Sequence, residues 1–259
     1  MQRSVRHKMI IRALGGQRTT VDALVALTGA SPVTIRRDLA DLEGHGLLKR
    51  VHGGAVAASR RGMRTQTYAM RANQDVASKE SVAALVAGLI EEHETVVLDN
   101  GTTNDAVART LVGRDLTVLC MSLHSAVALG VHPQAQVIVP GGVVVPDTLS
   151  ATPAACIDAA RSIRADVAVL GAAAASASHG LTTTTFDDAQ IKGAIVACAT
   201  HRILLADRAK LTRTASFRFA GLEDIDDLVT TADSPPDLLE EFRAAGVQVH
   251  LAPAAPAHP

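Results

Sequence analysis

The sequence predicts an α/β chain in two parts: a small head of three helices and a β-hairpin, then a mostly parallel, doubly wound sheet. From Thr95 onward, short apolar runs alternate with helical stretches, the pattern of strands covered on both faces by crossover helices. Before that, residues 1–57 hold three helix-length apolar stripes and one short strand pair divided by Gly53-Gly54. Hydrophobic residues make up 47% of the chain, yet Trp is absent and Tyr occurs once, so the core must be aliphatic.

In the head, Val5, Met9, Ile10, Ala13 and Leu14 sit at helical spacing, and Gly15-Gly16 stops that helix. Thr20 is an N-cap for a second helix carrying Val21, Leu24, Val25 and Leu27, with Gly29 just past its end. Ser31-Pro32 opens a third. Ser accepts from free first-turn N–H groups, and Pro is tolerated there because its missing N–H had no partner. Ile35, Leu39 and Leu42 form its buried stripe, and Gly44 or Gly46 ends it. Residues 47–52 read as a strand, Gly53-Gly54 as its turn and Ala55-Val56 as the return. Three helices and a small hairpin describe a winged helix.

Residues 58–75 read as a linker, because Ala57 to Arg64 shows no apolar period. Residues 76–252 form the α/β part. A helix is expected around Lys79–Ile90. Strands are expected at Thr95–Leu98, Leu116–Cys120, Gln136–Val139, Asp166–Leu170, Arg202–Ala206, Asp227–Val229 and Val247–Leu251. Helices fill most of the gaps, at Asn104–Leu111, His124–Leu129, Ala154–Ile163, Asp187–Ala199 and Pro236–Ala245. The Ala/Pro-rich tail, residues 253–259, reads as disordered.

Net charge of −1 conceals an asymmetry: residues 1–60 carry roughly +6, which suggests a polyanion-binding end. Cys120, Cys156 and Cys198 are odd in number, far apart and set among apolar residues. They read as reduced core thiols of a cytoplasmic protein, with neither a disulfide framework nor a metal site. No signal-peptide pattern opens the chain, and its apolar stretches are too interrupted to span a bilayer.

A helix-turn-helix lays its second helix in the DNA major groove, first turns nearest the bases. Ser31, Val33, Thr34, Arg36 and Arg37 occupy those turns. At 100° per residue, Val33, Arg36 and Arg37 share a face opposite Ile35, Leu39 and Leu42. Ser31 at the helix start suits a phosphate, and Arg36 or Arg37 suits guanine, a contact worth about 1–3 kcal/mol of discrimination. Lys49, Arg50, His52 and Gly53 form the wing, placed for backbone phosphates.

In the second part, Asp99-Asn100-Gly101-Thr102-Thr103 follows a strand and precedes a helix, where open α/β sheets bind ligands. Gly101 permits close backbone approach, and Thr102 and Thr103 offer hydroxyls and N–H groups to an anion such as phosphate. Gly141-Gly142, Asp187 to Lys192 and Ala206 to Lys210 stand at comparable junctions. Lys192 and Lys210 are candidate counter-charges.

Arg6, Ser31 to Leu39, Leu42-Glu43, Gly46 to Arg50 and His52-Gly53-Gly54-Ala55 together resemble the signature of the DeoR family of bacterial repressors, over about residues 3–232. The resemblance implies a cytoplasmic, nucleoid-associated repressor of a carbohydrate operon. It would form dimers or tetramers on double-stranded operator DNA and be released by a phosphorylated sugar, with no cofactor and no membrane. It also implies a sensor domain related in fold to ribose-5-phosphate isomerase. Carried over by motif, Asp99, Gly101, Thr102, Thr103, Lys192 and Lys210 line the sugar-phosphate pocket. Arg71 and Lys79 match basic positions of the family but read as helix-surface charges. Three departures stand out. The usual Glu-Ala reads Asp188-Ala189, a glycine-rich stretch reads Gly171-Ala172-Ala173-Ala174-Ala175, and a usual Gly is missing near Thr152. The added methyl groups are expected to reshape the pocket.

Two other readings remain at this point. One is a sugar-phosphate isomerase with an accessory DNA head, in which Asp99, Asp187 or Asp188 would be the base. No strong second catalytic set accompanies it. The other is a ligand-independent DNA-binding regulator.

Overall fold

The computed structural model describes residues 6–7, 9–10, 13–14, 19–44, 48–51, 53–57, 68–146 and 148–254. The chain divides into two compact units, Met1–Thr65 and Gln66–Pro259.

In the first unit the described residues of the opening segment include helical ones at 6–7, 9–10 and 13. Then come β1 (Thr19–Thr20), α1 (Val21–Thr28), α2 (Pro32–Gly44), β2 (Leu48–Val51) and β3 (Gly54–Ala57). The local chemistry is as the sequence implies. Thr20 Oγ1 accepts from Ala23 N at 3.2 Å, and Gly29, at φ 67°, closes α1 by donating to Val25 O at 2.8 Å. Ile10, Leu14, Leu24, Ile35, Leu39 and Leu42 meet in one small core. The strands form an antiparallel sheet ordered β1-β3-β2. β1 has no counterpart in the sequence reading: two threonines carry no period. Gly54 also differs. It is the first residue of β3, paired with Val51, rather than part of the turn. A methyl there would lie 2.3 Å from Thr19 O, so only glycine lets β1 and β3 approach.

The second unit holds α3 (Tyr68–Ala72), α4 (Val76–Ala87), β4 (Thr95–Leu98), α5 (Thr102–Thr110), β5 (Thr117–Cys120), α6 (Leu123–Gly130) and β6 (Gln136–Ile138). It continues with β7 (Val144–Val145), β8 (Ser150–Ala151), α7 (Pro153–Arg161), β9 (Ala165–Gly171), β10 (Ala174–Ser176), β11 (Gly180–Thr183) and α8 (Phe186–Cys198). Last come β12 (Ala199–Leu205), α9 (Arg208–Leu211), β13 (Phe217–Ala220), β14 (Asp227–Thr231), α10 (Pro236–Ala244) and β15 (Gln248–Ala252).

The seven strands expected from the sequence make one sheet, ordered β15-β14-β12-β9-β4-β5-β6, with every neighbouring pair parallel. Alternate residues of each strand enter opposite cores. Val96 and Leu98 pack with α4, α5 and α6, while Val97 packs with α7 and α8. The strand order reverses between β4 and β9, and a crevice opens at such a reversal beyond the carboxyl ends of the strands.

The structure adds elements that sequence periodicity misses. Residues 68–72, within the expected linker, form α3; residues 58–67 of that segment lie outside the described set. β10, β11 and β13 make a separate antiparallel sheet, and β7 pairs with β8. Of the tail, 255–259 lie outside the described residues. The three cysteines are free and buried. Burial pushes the Cys120 thiol up to about 12, with Asp105 adding to the shift, and Cys156 up to about 11.

Candidate functional site

In the first unit α2 has two faces. Ile35, Leu39 and Leu42 are buried, whereas Ser31, Val33, Arg36 and Arg37 are exposed, Val33 by 58%. Val33 therefore stands on the outer face with the two arginines, away from the core. Ser31 Oγ accepts from Thr34 N at 3.2 Å and bonds the Thr34 hydroxyl at 2.9 Å, so Ser31 caps α2.

Asp38 was not singled out by sequence, and it is what anchors α2. It is buried and accepts from Arg6 Nε at 2.5 Å and His7 Nε2 at 3.1 Å. Burial alone would raise its pKa. The Arg6 and His7 bonds outweigh burial and hold the carboxyl below its usual range. A signal existed: an acid directly after two exposed arginines, three residues beyond buried Ile35, points inward.

The wing is only partly visible. Gly53 is exposed at φ 74°, and Arg50 is exposed on β2. Arg50 Nε is paired with Glu43 at 2.9 Å, so a phosphate would have to displace a partner that the sequence did not suggest. An exposed pair of this kind is worth about 0–1 kcal/mol, so displacement is cheap. His52 and the Lys49 side chain lie outside the described residues.

In the second unit Asp99 follows β4 at the reversal of strand order, fully buried. Its Oδ1 accepts from Asn100 N at 2.8 Å, and its Oδ2 accepts from Gly171 N at 2.9 Å, tying the ends of β4 and β9 together. Lys192, on α8 and 3% exposed, donates to the same Oδ2 and lies 3.7 Å from Asp188 Oδ1. Phe219 covers the ammonium, its ring centroid 5.9 Å away. Asp188 also accepts from Thr183 Oγ1 and, at 3.5 Å, from Asn100 Nδ2. Burial pushes Asp99 up, and for Lys192 the two acids outweigh burial and push it up as well.

This changes the picture of Lys192 as a counter-charge for an incoming anion. Its charge is already matched by Asp99 and Asp188, so it positions these residues. Asp188, at the position where the resemblance implies Glu, reaches it.

The cations that lack partners are elsewhere. Gly101, at φ 130°, precedes α5 and supplies no side-chain cap, which leaves the first-turn N–H groups of Thr102 and Thr103 open. Thr102 is buried and Thr103 partly so. Among the described residues, none accepts a bond from the partly buried Lys210 Nζ. Burial lowers its pKa, and Lys192 and Arg71 lower it further by like-charge repulsion against the pull of Asp207. Burial likewise lowers Lys79, which also feels Lys210 and Arg71. Lys79 Nζ donates to the carbonyls of Arg71 and Gln74, closing the end of α3. Arg71 Nε is buried with no partner among the described residues. Arg71 and Lys79 are therefore set into the fold, not displayed as surface charges. The sequence could not show this, because α3 has no period to place Arg71.

The departures have local reasons. Ala172 and Ala175 turn into the core beside Leu181 and Leu204, so their methyls fill the interior. Thr152 sits in extended backbone ahead of α7, where no glycine is needed.

No helix among the described residues is long and apolar enough to cross a membrane. No group of three or more His, Cys, Asp or Glu among them could hold a metal ion.

Residues 6–61 match the DeoR-like helix-turn-helix domain, and residues 74–232 match the DeoR C-terminal sensor domain. An HTH-type transcriptional regulator, GlpR, of Haloferax volcanii is 34% identical over 89% of this chain and 90% of its own. The glycerol-3-phosphate regulon repressor of Haemophilus influenzae is 33% identical over 94% of both chains. Among solved structures, ribose 5-phosphate isomerase A of Methanocaldococcus jannaschii aligns over 54% of this chain and 56% of its own, at 15% identity and a TM-score of 0.40. With both domain models matched in order, the chain belongs to the DeoR family of helix-turn-helix transcriptional regulators.

Proposed function

We propose that this protein represses a carbohydrate-metabolism operon by gripping operator DNA with α2, and that a phosphorylated sugar releases it. The single observation that carries the effector half is the unmatched cation group. Arg71 Nε is buried without an acceptor, and Lys210, recessed without one, feels both Arg71 and Asp99, which lies just ahead of the uncapped start of α5. An N–H buried without an acceptor costs free energy, and a phosphate supplies the missing acceptors. Gly101, Thr102, Thr103, Lys210 and Arg71 are its proposed ligands, while Asp99 and Lys192 shape the crevice. The names of the relatives as repressors of a glycerol-3-phosphate regulon support the same class of effector.

On the DNA side, Arg36 and Arg37 are proposed to read bases, with Ser31, Thr34 and Val33 at the groove and the wing on phosphates. The sensor is proposed to signal rather than catalyse. Asp99, the best-placed acid, spends both oxygens on backbone N–H groups and Lys192, so it is not poised to take a substrate proton.

The test is a gel shift on the promoter region of the protein's own operon. The complex should form at low salt, weaken steeply as salt rises, and vanish with Arg36→Ala plus Arg37→Ala. A phosphorylated sugar should release it, and Lys210→Met should make that release harder. Retention of binding in the double variant would overturn the DNA reading. Turnover of any sugar phosphate would overturn the non-catalytic one.

A further inference from the structure

Residues 116–146 contain no Asp, Glu, Lys or Arg, although the chain is 20% charged and a run of 31 residues would ordinarily hold about six. This segment supplies β5, α6, β6 and β7, and so builds the β6 edge of the seven-stranded sheet. Of residues 123–146, all but Ser125, Ala126 and Leu129 reach solvent. α6 buries those three and packs on α5, β5 and β6. It leaves Val127 and Val131, one turn apart, 68% and 75% exposed. Ile138 and Val139 are exposed on β6 and just after it, and Val143, 73% exposed, precedes β7. With Val145 these are six of the fourteen exposed large apolar side chains among the described residues, so the exposure is concentrated at this edge.

The opposite edge differs. There β15 is flanked by α10, which carries Asp237, Glu240, Glu241 and Arg243. Charge of this kind keeps an edge solitary. The β6 edge has no such guard, and a contiguous apolar surface without charge marks a place that a partner covers. Its 21 solvent-reaching residues match the roughly 20–30 a side of a standard interface.

We propose that this band is the face through which two copies of the chain associate about a two-fold axis. In such a contact each patch meets its own image, so any charge on it would stand near a like charge. A charge-free patch is compatible with itself. A different protein would be selected through complementary charge, and the band offers none. The chain also matches a helix-turn-helix domain over residues 6–61, and such heads grip DNA in pairs over two half-sites. A second copy supplies the second head. β6 is only three residues long, so side-chain packing carries the contact more than strand pairing does. The proposal concerns assembly and does not depend on the effector reading.

The experiment is sedimentation velocity on the full chain across a range of concentrations. The wild-type protein should sediment as a dimer or a larger even assembly. Rising salt should not weaken it, because no charge pair contributes, whereas DNA binding falls with salt. Val127→Glu and Val131→Glu set like charges face to face and should each weaken self-association by about tenfold or more. Both positions are exposed, so far-UV circular dichroism should stay unchanged. Val143→Glu, in a different element, should act in the same direction. Leu251→Glu alters an apolar side chain 43% exposed on β15 and should leave the assembly intact.

A wild-type chain that is monomeric at every concentration overturns the proposal, since the band is then open or is covered by another molecule. So does an assembly that survives the three glutamate variants, that Leu251→Glu dissolves as readily, or that comes apart as salt rises. Should the glutamate variants misfold, Val131→Thr and Val143→Thr keep the shape of the side chain and must still weaken association; unchanged association in both overturns the proposal as well.

Discussion

Lys192→Met removes the ammonium at the centre of the sensor unit and keeps most of its apolar stem. Asp99 is then a fully buried carboxylate without its cation, and Asp188 loses a neighbour at 3.7 Å. Removing one partner of a buried pair costs about 3–5 kcal/mol, because the remaining charge is uncompensated. Asp188 is partly open to solvent, so most of the loss is carried by Asp99. For a unit of this size each kcal/mol lowers the melting temperature by about 2–4 °C, so the expected drop is about 6–20 °C. The sign of the pH dependence follows from burial. An unpaired Asp99 titrates above its unfolded value of about 3.9, so its neutral form is stable below that pH and the stability is lost as pH rises through the folded value. The deficit should therefore shrink on acidification. Adding Asp99→Asn should recover part of the loss at neutral pH. The assay is urea unfolding followed by tyrosine fluorescence: Tyr68 is the one Tyr, Trp is absent, and Tyr68 lies in the sensor unit, so the signal reports that unit. A loss below about 1 kcal/mol, or one independent of pH, would refute the buried ion-pair argument.

Three further outcomes are expected. Asp38→Asn should destabilise the DNA-binding unit by about 1.5–3 kcal/mol through its bonds to Arg6 and His7. The Asp38 pKa is lowered in the fold, so this contribution is present above its unfolded value and disappears as pH falls; circular dichroism melts from neutral pH to below about 4 should show the two proteins converge. Gly54→Ala forces β3 away from the Thr19 carbonyl and should cost the same unit about 1–3 kcal/mol, leaving the tyrosine transition of the sensor unit unmoved. Phosphate binding should take up protons, since burial and like charges lower Lys210 and Lys79 in the free protein and an anion reverses this. Affinity should fall as pH is raised, starting below the ordinary lysine value of about 10.4, and Lys210→Met should reduce that dependence; a flat profile would contradict the cation cluster's role.

Much of the architecture is local and was legible. The caps at Thr20 and Ser31, the stop at Gly29 and the stripe of Ile35, Leu39 and Leu42 act within a few residues, so sequence spacing suffices. All seven sheet strands were visible because a doubly covered parallel strand must be apolar along its length. The short antiparallel strands were not. Ala174–Ser176 and Gly180–Thr183 are built from small residues and threonines with no period, and long-range pairing defines them. The site divides the same way. Asp99 to Thr103 declared itself as a strand-to-helix turn. The partner of Lys192, however, was decided by strand order.

By itself, then, the sequence determined that a helix with a basic outer face stands before an α/β sheet, and where each strand of that parallel sheet would lie. Both follow from periodicity and capping, which are short-range. Only the tertiary structure decided which charges meet. It set Asp99 against Lys192, 93 residues away, and so neutralised a lysine that looked available. It buried Asp38 under Arg6, and it drew Arg71, Lys79 and Lys210 together. Pairing of this kind depends on the order in which strands assemble and on burial that removes competing water. Neither is written in the spacing of residues along the chain.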